Sequence, residues 1–317
     1  MFTELNEFAQ NVKKELDTMM PECEVMINDV VKNNGVTFKG VVIHRKGSSI
    51  SPQIYLEKYY EEYQNGKKID SICTEIIDIY RQNNIETPDI NTLQFTEFKN
   101  VKDKICFRLV NAQKNQELLC KVPHRKMLDL AVIYCINADV RENLNGSIMV
   151  TDALMEKWGI TEQTLYELAV VNSPVYSKGM VLPMEAVVCE ILTGKMEEYP
   201  LTYENSRFGI SLVEEDIQFY AVYVATNTKK LYGAAVMLYD GLLKKIGEYI
   251  GDFYILPSSV HELLFIKKLD IIKPADLSKM VCEVNTAEVT PQDVLSDNVY
   301  LYDTKSNELQ LVTNKTE

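Results

Sequence analysis

The stretch from Gly233 to Ile266, GAAVMLYDGLLKKIGEYIGDFYILPSSVHELLFI, constrains the fold more than any other part of the chain. It strings together apolar and amphipathic segments with a glycine or proline at nearly every junction. AAVML reads as a buried strand and Asp240 as a helix N-cap. Leu243, Ile246, Gly247 and Ile250 fall on one helical face, while Lys244, Lys245 and Glu248 face water. Gly251 is placed to end that helix. DFYIL and HELLFI follow as strands on either side of a Pro-Ser-Ser turn. With the β-prone QFYAVYVATN upstream, the spacing predicts a strand–helix–strand unit over residues 218–266.

Other segments follow the same logic. Phe2, Leu5, Phe8, Val12 and Leu16 repeat at helical spacing up to Pro21. Asn34-Gly35 between two alternating runs predicts a hairpin over Glu24–Lys46. Tyr55, Tyr59 and Tyr63 stand four apart and predict an amphipathic helix ended by Gly66. A second helix runs from Ile69 to Tyr80. The polar segment Asn83–Asn91 reads as a linker. Beyond it, ICFRLVN and the apolar run LDLAVIYCIN read as strands, with a turn at Asn145-Gly146 leading into SIMV. Thr151 and Thr161 are placed to cap two helices, the second closed by Pro174. Pro183 stands where a third helix would start, ending at Gly194. Glu197–Arg207 reads as a loop. A helix from Pro274 and a hairpin around Ser306-Asn307 complete the chain. Hairpins and helices without strict βαβ alternation predict an α+β fold of mixed, largely antiparallel sheets with packed helices. A chain of 317 residues suggests two domains. The boundaries drawn are 1–85, a helix–hairpin–helix module, and 92–317, a larger α+β domain.

The net charge of −13 disfavours general binding to nucleic acid, whose phosphates it repels, and is compatible with solubility alone, the commoner explanation, or with a basic protein partner. The seven scattered cysteines include no CxxC pair and suit reduced, buried thiols. With no signal-peptide pattern and no apolar window of membrane-spanning length, the expectation is a cytoplasmic protein that does not enter the membrane.

Several strings are distinctive: VVKNNGV, SPQIYLEKYY, VPHRKMLDLAVIY, LYELAVVNSP, YILPSSVHELLFI and LSDNVYLYD. On these the chain resembles the bacterial domain-of-unknown-function family five-six-eight-eight, found mainly in anaerobic Gram-positive bacteria. LYELAVVN and YILPSSVHELLFI are similar, more weakly, to a second uncharacterised family. The resemblance implies one shared architecture from the N-terminal hairpin almost to the C-terminus. It implies no activity, cofactor or catalytic residue.

Two constellations carry candidate chemistry. Ser258, Ser259, His261 and Glu262 offer a hydroxyl, an imidazole and a carboxylate, the components of a nucleophilic site. Against that, His261 and Glu262 point apart if they lie on a strand, serines after Pro257 are natural turn formers, and no GxSxG elbow is present. His124, Arg125 and Lys126, with Asp129 nearby, could hold a phosphate or carboxylate, or could simply pair with the acidic surplus. The three histidines, His44, His124 and His261, have no metal-ligand spacing, and no phosphate-cradling glycine loop occurs. No metal or cofactor is therefore expected. The leading expectation is a non-enzymatic binding or regulatory protein acting on a macromolecular partner. The alternative is a hydrolase or transferase whose site the fold assembles around His124 or His261.

Overall fold

The computed structural model describes residues 2–45, 53–83, 95–141, 144–193, 211–212 and 222–312. Most of the linker at Asn83–Asn91, Gly194 and the loop at Glu197–Arg207 lie outside the described residues. The chain forms two units, Met1–Thr92 and Leu93–Glu317.

In the first unit, α1 (Phe2–Met19) precedes a hairpin of β1 (Cys23–Val31) and β2 (Thr37–Arg45). Asn34 and Gly35 take φ of 62° and 69°, the positive values that Asn-Gly supplies at low cost. A short β3 (Gln53–Tyr55) pairs with β2, then α2 (Glu57–Gln64) and α3 (Ile69–Asn83) close the unit. Tyr55 therefore belongs to a strand, and the predicted tyrosine helix starts two residues later. Tyr59 and Tyr60 are buried with Phe8, Val12, Leu16, Val41, Leu56, Ile72 and Ile76. Tyr59 and Tyr60 pack inward, as an amphipathic helix requires, while the exposed Tyr63 lays its ring 5.1 Å from that of Phe8.

The second unit begins with α4 (Phe98–Val101), β4 (Ile105–Asn111) and α5 (Gln116–Leu119). Next come β5 (His124–Met127), β6 (Leu130–Arg141) and β7 (Leu144–Met149). β6 is the axis of an antiparallel sheet, paired with β4 along one edge and with β5 and then β7 along the other. Asn145 and Gly146 lie inside β7, opposite Asp139 and Ala138, so they do not make the predicted turn. The helices α6 (Asp152–Trp158) and α7 (Glu162–Tyr176) follow. Thr151 and Thr161 cap them, accepting from Leu154 N and Thr164 N respectively.

Pro174 does not close α7, which continues to Tyr176. So near the C-terminus, proline deletes one backbone bond, and its neighbours hold the helix in place. Asn172 Nδ2 donates to Lys102 O and Ile105 O, and Phe107 N donates to Ser173 Oγ. Pro183 likewise is not the first helical residue: it ends β8 (Gly179–Pro183), and α8 (Met184–Thr193) starts after it.

A seven-stranded sheet carries the rest of the unit. Its further strands are β9 (Ser211–Leu212), β10 (Val222–Asn227), β11 (Phe253–Leu256), β12 (Leu263–Lys267), β13 (Val299–Asp303) and β14 (Glu308–Val312). The order is β14-β13-β11-β12-β10-β8-β9, antiparallel except for the β8–β9 pair. Two helices belong to it, α9 (Leu242–Ile250) and α10 (Pro274–Ala287). This is the expected α+β architecture.

AAVML differs from the expected strand: Gly233–Leu238 is a buried 3-10 helix. Its apolar composition reflects burial, which a short run shares between strands and helices. Gly233 makes the approach possible, because a Cβ there would stand 2.3 Å from His261 O and 2.2 Å from Thr226 Oγ1. The N-cap of α9 is Gly241, at φ 76°, in place of Asp240. Gly251 does cap its C-terminus. The two sheets share one core that includes Phe107, Tyr134, Tyr223, Ile246, Phe253, Phe265 and Tyr300. Asp129, in the β5–β6 turn, accepts from Tyr300 Oη at 2.5 Å, Ser296 Oγ at 2.6 Å and Asn298 Nδ2 at 2.9 Å.

Gly233→Ala is expected to lower stability by about 2–3 kcal/mol, the cost of forcing a methyl against fixed backbone. Gly159 has φ 67° and nothing within 4 Å of a would-be Cβ. Gly159→Ala should then cost only about 1 kcal/mol, from the left-handed backbone. Urea-unfolding midpoints of the two variants provide the check, and equal shifts would count against a steric role for Gly233.

Candidate anion pocket

Alternation along β4 and β6 decides what their sheet presents on its two faces. Ile105, Phe107 and Leu109, with Leu130, Val132, Tyr134 and Ile136, point into the main core. Of the intervening residues, Val110, Ala131 and Ile133 pack with Leu119 and Val122. The remaining ones, Cys106, Arg108, Cys135 and Asn137, line a pocket of about 60 Å³. Ser147 on β7, Ser173, Tyr176 and Ser177 at the end of α7, Tyr239, and Lys229 and Tyr232 after β10 complete the lining used below.

The pocket is cationic. The Arg108 guanidinium lies 3.7 Å from the Tyr232 ring centroid and donates to Ser147 Oγ. The Lys229 ammonium lies 3.3 Å from the Tyr176 ring centroid. Such stacking holds a cation in place with about 0.5–2 kcal/mol. Among the described lining residues there is no Asp or Glu. Cys106 and Cys135 stand opposite each other across β4 and β6. Burial pushes the Cys106 thiol up to about 12 and raises Cys135 as well. Both thiols therefore stay neutral near pH 7 and bring no negative charge. The Ser177 Oγ is buried without a hydrogen-bond partner.

The loop that presents Lys229 and Tyr232 is strained. Lys230 and Tyr232 have φ of 51° and 52°, which costs a non-glycine residue about 1–2 kcal/mol. Asn227 holds the loop from one side: its Oδ1 accepts from Lys229 N at 3.0 Å and Leu231 N at 3.4 Å, and its Nδ2 donates to Leu231 O at 2.9 Å. His261 holds it from the other, its Nδ1 accepting from Tyr232 N at 3.2 Å. That bond leaves the proton of the neutral ring on Nε2, which faces Asp293 Oδ1 at 3.3 Å.

Both His261 nitrogens are thus engaged, and Asp293, not Glu262, is the carboxylate that orients the ring. Ser259 Oγ accepts from the His261 backbone N–H, a local turn bond, and Ser258 lends its carbonyl to Leu295 N. The structure places these residues behind the pocket loop.

The tripeptide at residues 124–126 is divided by the pleat of β5, so Arg125 faces the opposite way from His124 and Lys126. Arg125 Nε and Nη2 form a fork with Glu162 at 3.2 and 2.9 Å, and the guanidinium stacks 3.9 Å from the Tyr166 ring. Hydrogen bonding to Glu162 raises the Arg125 pKa further. Tyr134 also donates to Glu162, and its phenol is raised by burial and then by that bond. His124 Nδ1 lies 3.1 Å from Val122 O. Asp129 serves the link to Tyr300 and is not part of a site with the tripeptide.

The sequence reading passed over Arg108, Lys229, Tyr232 and Ser177. A signal existed for the first, because ICFRLVN carries one charge inside an otherwise apolar strand. The loop gave none, since its left-handed residues are a lysine and a tyrosine. Among the described residues, no group of three or more His, Cys, Asp or Glu is placed to hold a metal ion. No described helix is long and apolar enough to cross a membrane.

The raised Cys106 pKa fixes a sign for stability against pH. The folded state keeps this proton while the unfolded thiol, near pKa 8.5, loses it, so the contribution is complete below about pH 8 and declines as pH rises toward 12. The decline is about 1.4 kcal/mol per pH unit for one thiol. Urea titrations at several alkaline pH values should show a shallower loss in Cys106→Ala than in the parent chain.

No curated protein and no solved structure matches this chain. A family profile described as "Family of unknown function (DUF5688)" matches residues 5–304. Running from the first helix through β13, that match shows that the chain belongs to the DUF5688 family.

Proposed function

We propose that this protein binds a small anionic ligand in the pocket between Arg108 and Lys229. One observation carries the reading: two cations stacked on tyrosine rings share a pocket with no described carboxylate, in a chain of net charge −13. On so acidic a chain, a cluster of cations with no acid among its described lining residues is the exception, and electrostatics concentrates anions there. The loop geometry supports it, because strained backbone is retained where a site requires it. The role is binding or regulatory, in keeping with the absence of a sequence motif for catalysis. Seven free thiols support a reducing, cytoplasmic setting.

A basic protein partner is the second reading, favoured by the net charge alone. A hydrolase or transferase around His124 or His261 has less behind it. His261 is held at both nitrogens, and the Arg125 fork beside His124 is filled by Glu162.

Calorimetric titration of the full chain with phosphate, sulfate, acetate and succinate tests the proposal. At least one anion should bind at millimolar concentration or below, and Arg108→Ala should weaken it about tenfold or more, as loss of a charge-assisted contact does. Failure of the parent chain to bind any of the four would overturn the reading.

A further inference from the structure

We infer that His261 is a proton switch for the pocket loop, in which protonation of Nδ1 releases Tyr232. The switch is a property of the loop itself, and only its effect on a ligand rests on the anion-pocket reading. In the neutral ring, the Nδ1 lone pair accepts the Tyr232 N–H at 3.2 Å, and the ring proton sits on Nε2, 3.3 Å from Asp293 Oδ1. A protonated imidazole carries a hydrogen on each nitrogen and accepts at neither. Its Nδ1–H points at the Tyr232 N–H, hydrogen against hydrogen.

The ring cannot turn away to relieve this. An imidazolium makes an ion pair with Asp293 at Nε2, and the other Asp293 oxygen already accepts from Thr290 Oγ1 at 2.5 Å. Backbone bonds fasten the two segments together: Val260 N donates to Asp293 O and Leu295 N to Ser258 O, each at 2.8 Å. The loop is the part that gives. Lys230 and Tyr232 sit at φ of 51° and 52°, so losing one restraint lets the backbone relax out of the left-handed region. The charged and titratable groups around the ring are four. Asp293 stands at Nε2, the Tyr232 phenol has its ring centroid 5.6 Å away, Arg108 stacks on that phenol, and Glu262 follows in the chain. Histidine is the side chain that changes charge between about pH 5 and 8. In mild acid, therefore, Tyr232 moves and Arg108 loses the ring on which it rests.

The intact chain labelled with nitrogen-15 tyrosine tests this, by amide exchange with water across pH 5 to 8, each rate divided by that of an unstructured peptide. Tyr232→Phe drops out of the labelling and so identifies the signal. In the parent chain, the Tyr232 amide should lose about fivefold or more of its protection at the acid end, the worth of one net hydrogen bond. Tyr223, in β10, should keep its protection. In His261→Asn, whose side-chain oxygen accepts from Tyr232 N–H and takes up no proton, protection should be the same throughout. Asp293→Asn removes the ion pair at Nε2 and should move the change to lower pH. Uniform protection in the parent, or a change that persists in His261→Asn, would overturn the inference. Parallel loss at Tyr223 would mean general loosening and would overturn it too. No ligand enters the measurement, so the switch and the anion pocket stand or fall separately.

Discussion

The pleat of β6 is the constraint on which the larger unit depends. Leu130, Val132, Tyr134 and Ile136 enter the main core on one side, and Ala131, Ile133, Cys135 and Asn137 face the other. Because β4 pairs with β6 residue for residue, Cys106 falls opposite Cys135 and Arg108 opposite Ile133. A shift by one residue would carry Arg108 into the core and Phe107 into the pocket. The large apolar burial on one face thus fixes, without further contacts, which side chains form the pocket on the other. Asp129 adds to this by fastening the β5–β6 turn to Tyr300, whose phenol is raised by burial and by Asp129.

Rigidity in the pocket comes from the two ends of its loop. Lys230 and Tyr232 would leave their left-handed conformations if released, so the loop needs restraint at both ends. Asn227 supplies three bonds at one end. At the other, Tyr232 N–H donates to His261, which Asp293 orients. The nearness of Gly233 to Thr226 and His261 O allows the chain to turn back at that point. The imidazole therefore serves the pocket without entering it, and its place is fixed by backbone geometry more than by chemistry.

Local signals were legible in the sequence and long-range ones were not. The Asn34-Gly35 turn, the Thr151 and Thr161 caps, Gly251 and the strands ICFRLVN and LDLAVIYCIN all follow from periodicity and turn chemistry within about ten residues. AAVML misled because burial makes a 3-10 turn as apolar as a strand. Pro174 misled because α7 is held past it by Asn172 and Ser173, whose partners lie some seventy residues earlier. The pocket was legible only in part: His261 stood out as a residue, but its bond to Tyr232 spans 29 positions. The union of Arg108 with Ser147 and Tyr232 depends on sheet pairing and packing that no local pattern encodes.

Arg108 and Arg125, two arginines of this sheet, differ in how their charge is met. Both stack on a tyrosine, Arg125 on Tyr166 at 3.9 Å and Arg108 on Tyr232 at 3.7 Å. Arg125 spends its fork on Glu162, with Gln163 accepting from Nη2 at 2.6 Å, so its charge is neutralised where it sits. Arg108 has a serine hydroxyl in that place, and among the described residues it forms no ion pair. A hydroxyl orients a guanidinium without cancelling its charge, and a guanidinium satisfied by a carboxylate has little left to offer an anion. His124-Arg125-Lys126 looked like the basic cluster because its charges are adjacent in sequence. Arg108 is alone as a charge within an apolar strand, and it stacks on its tyrosine with no carboxylate partner among the described residues.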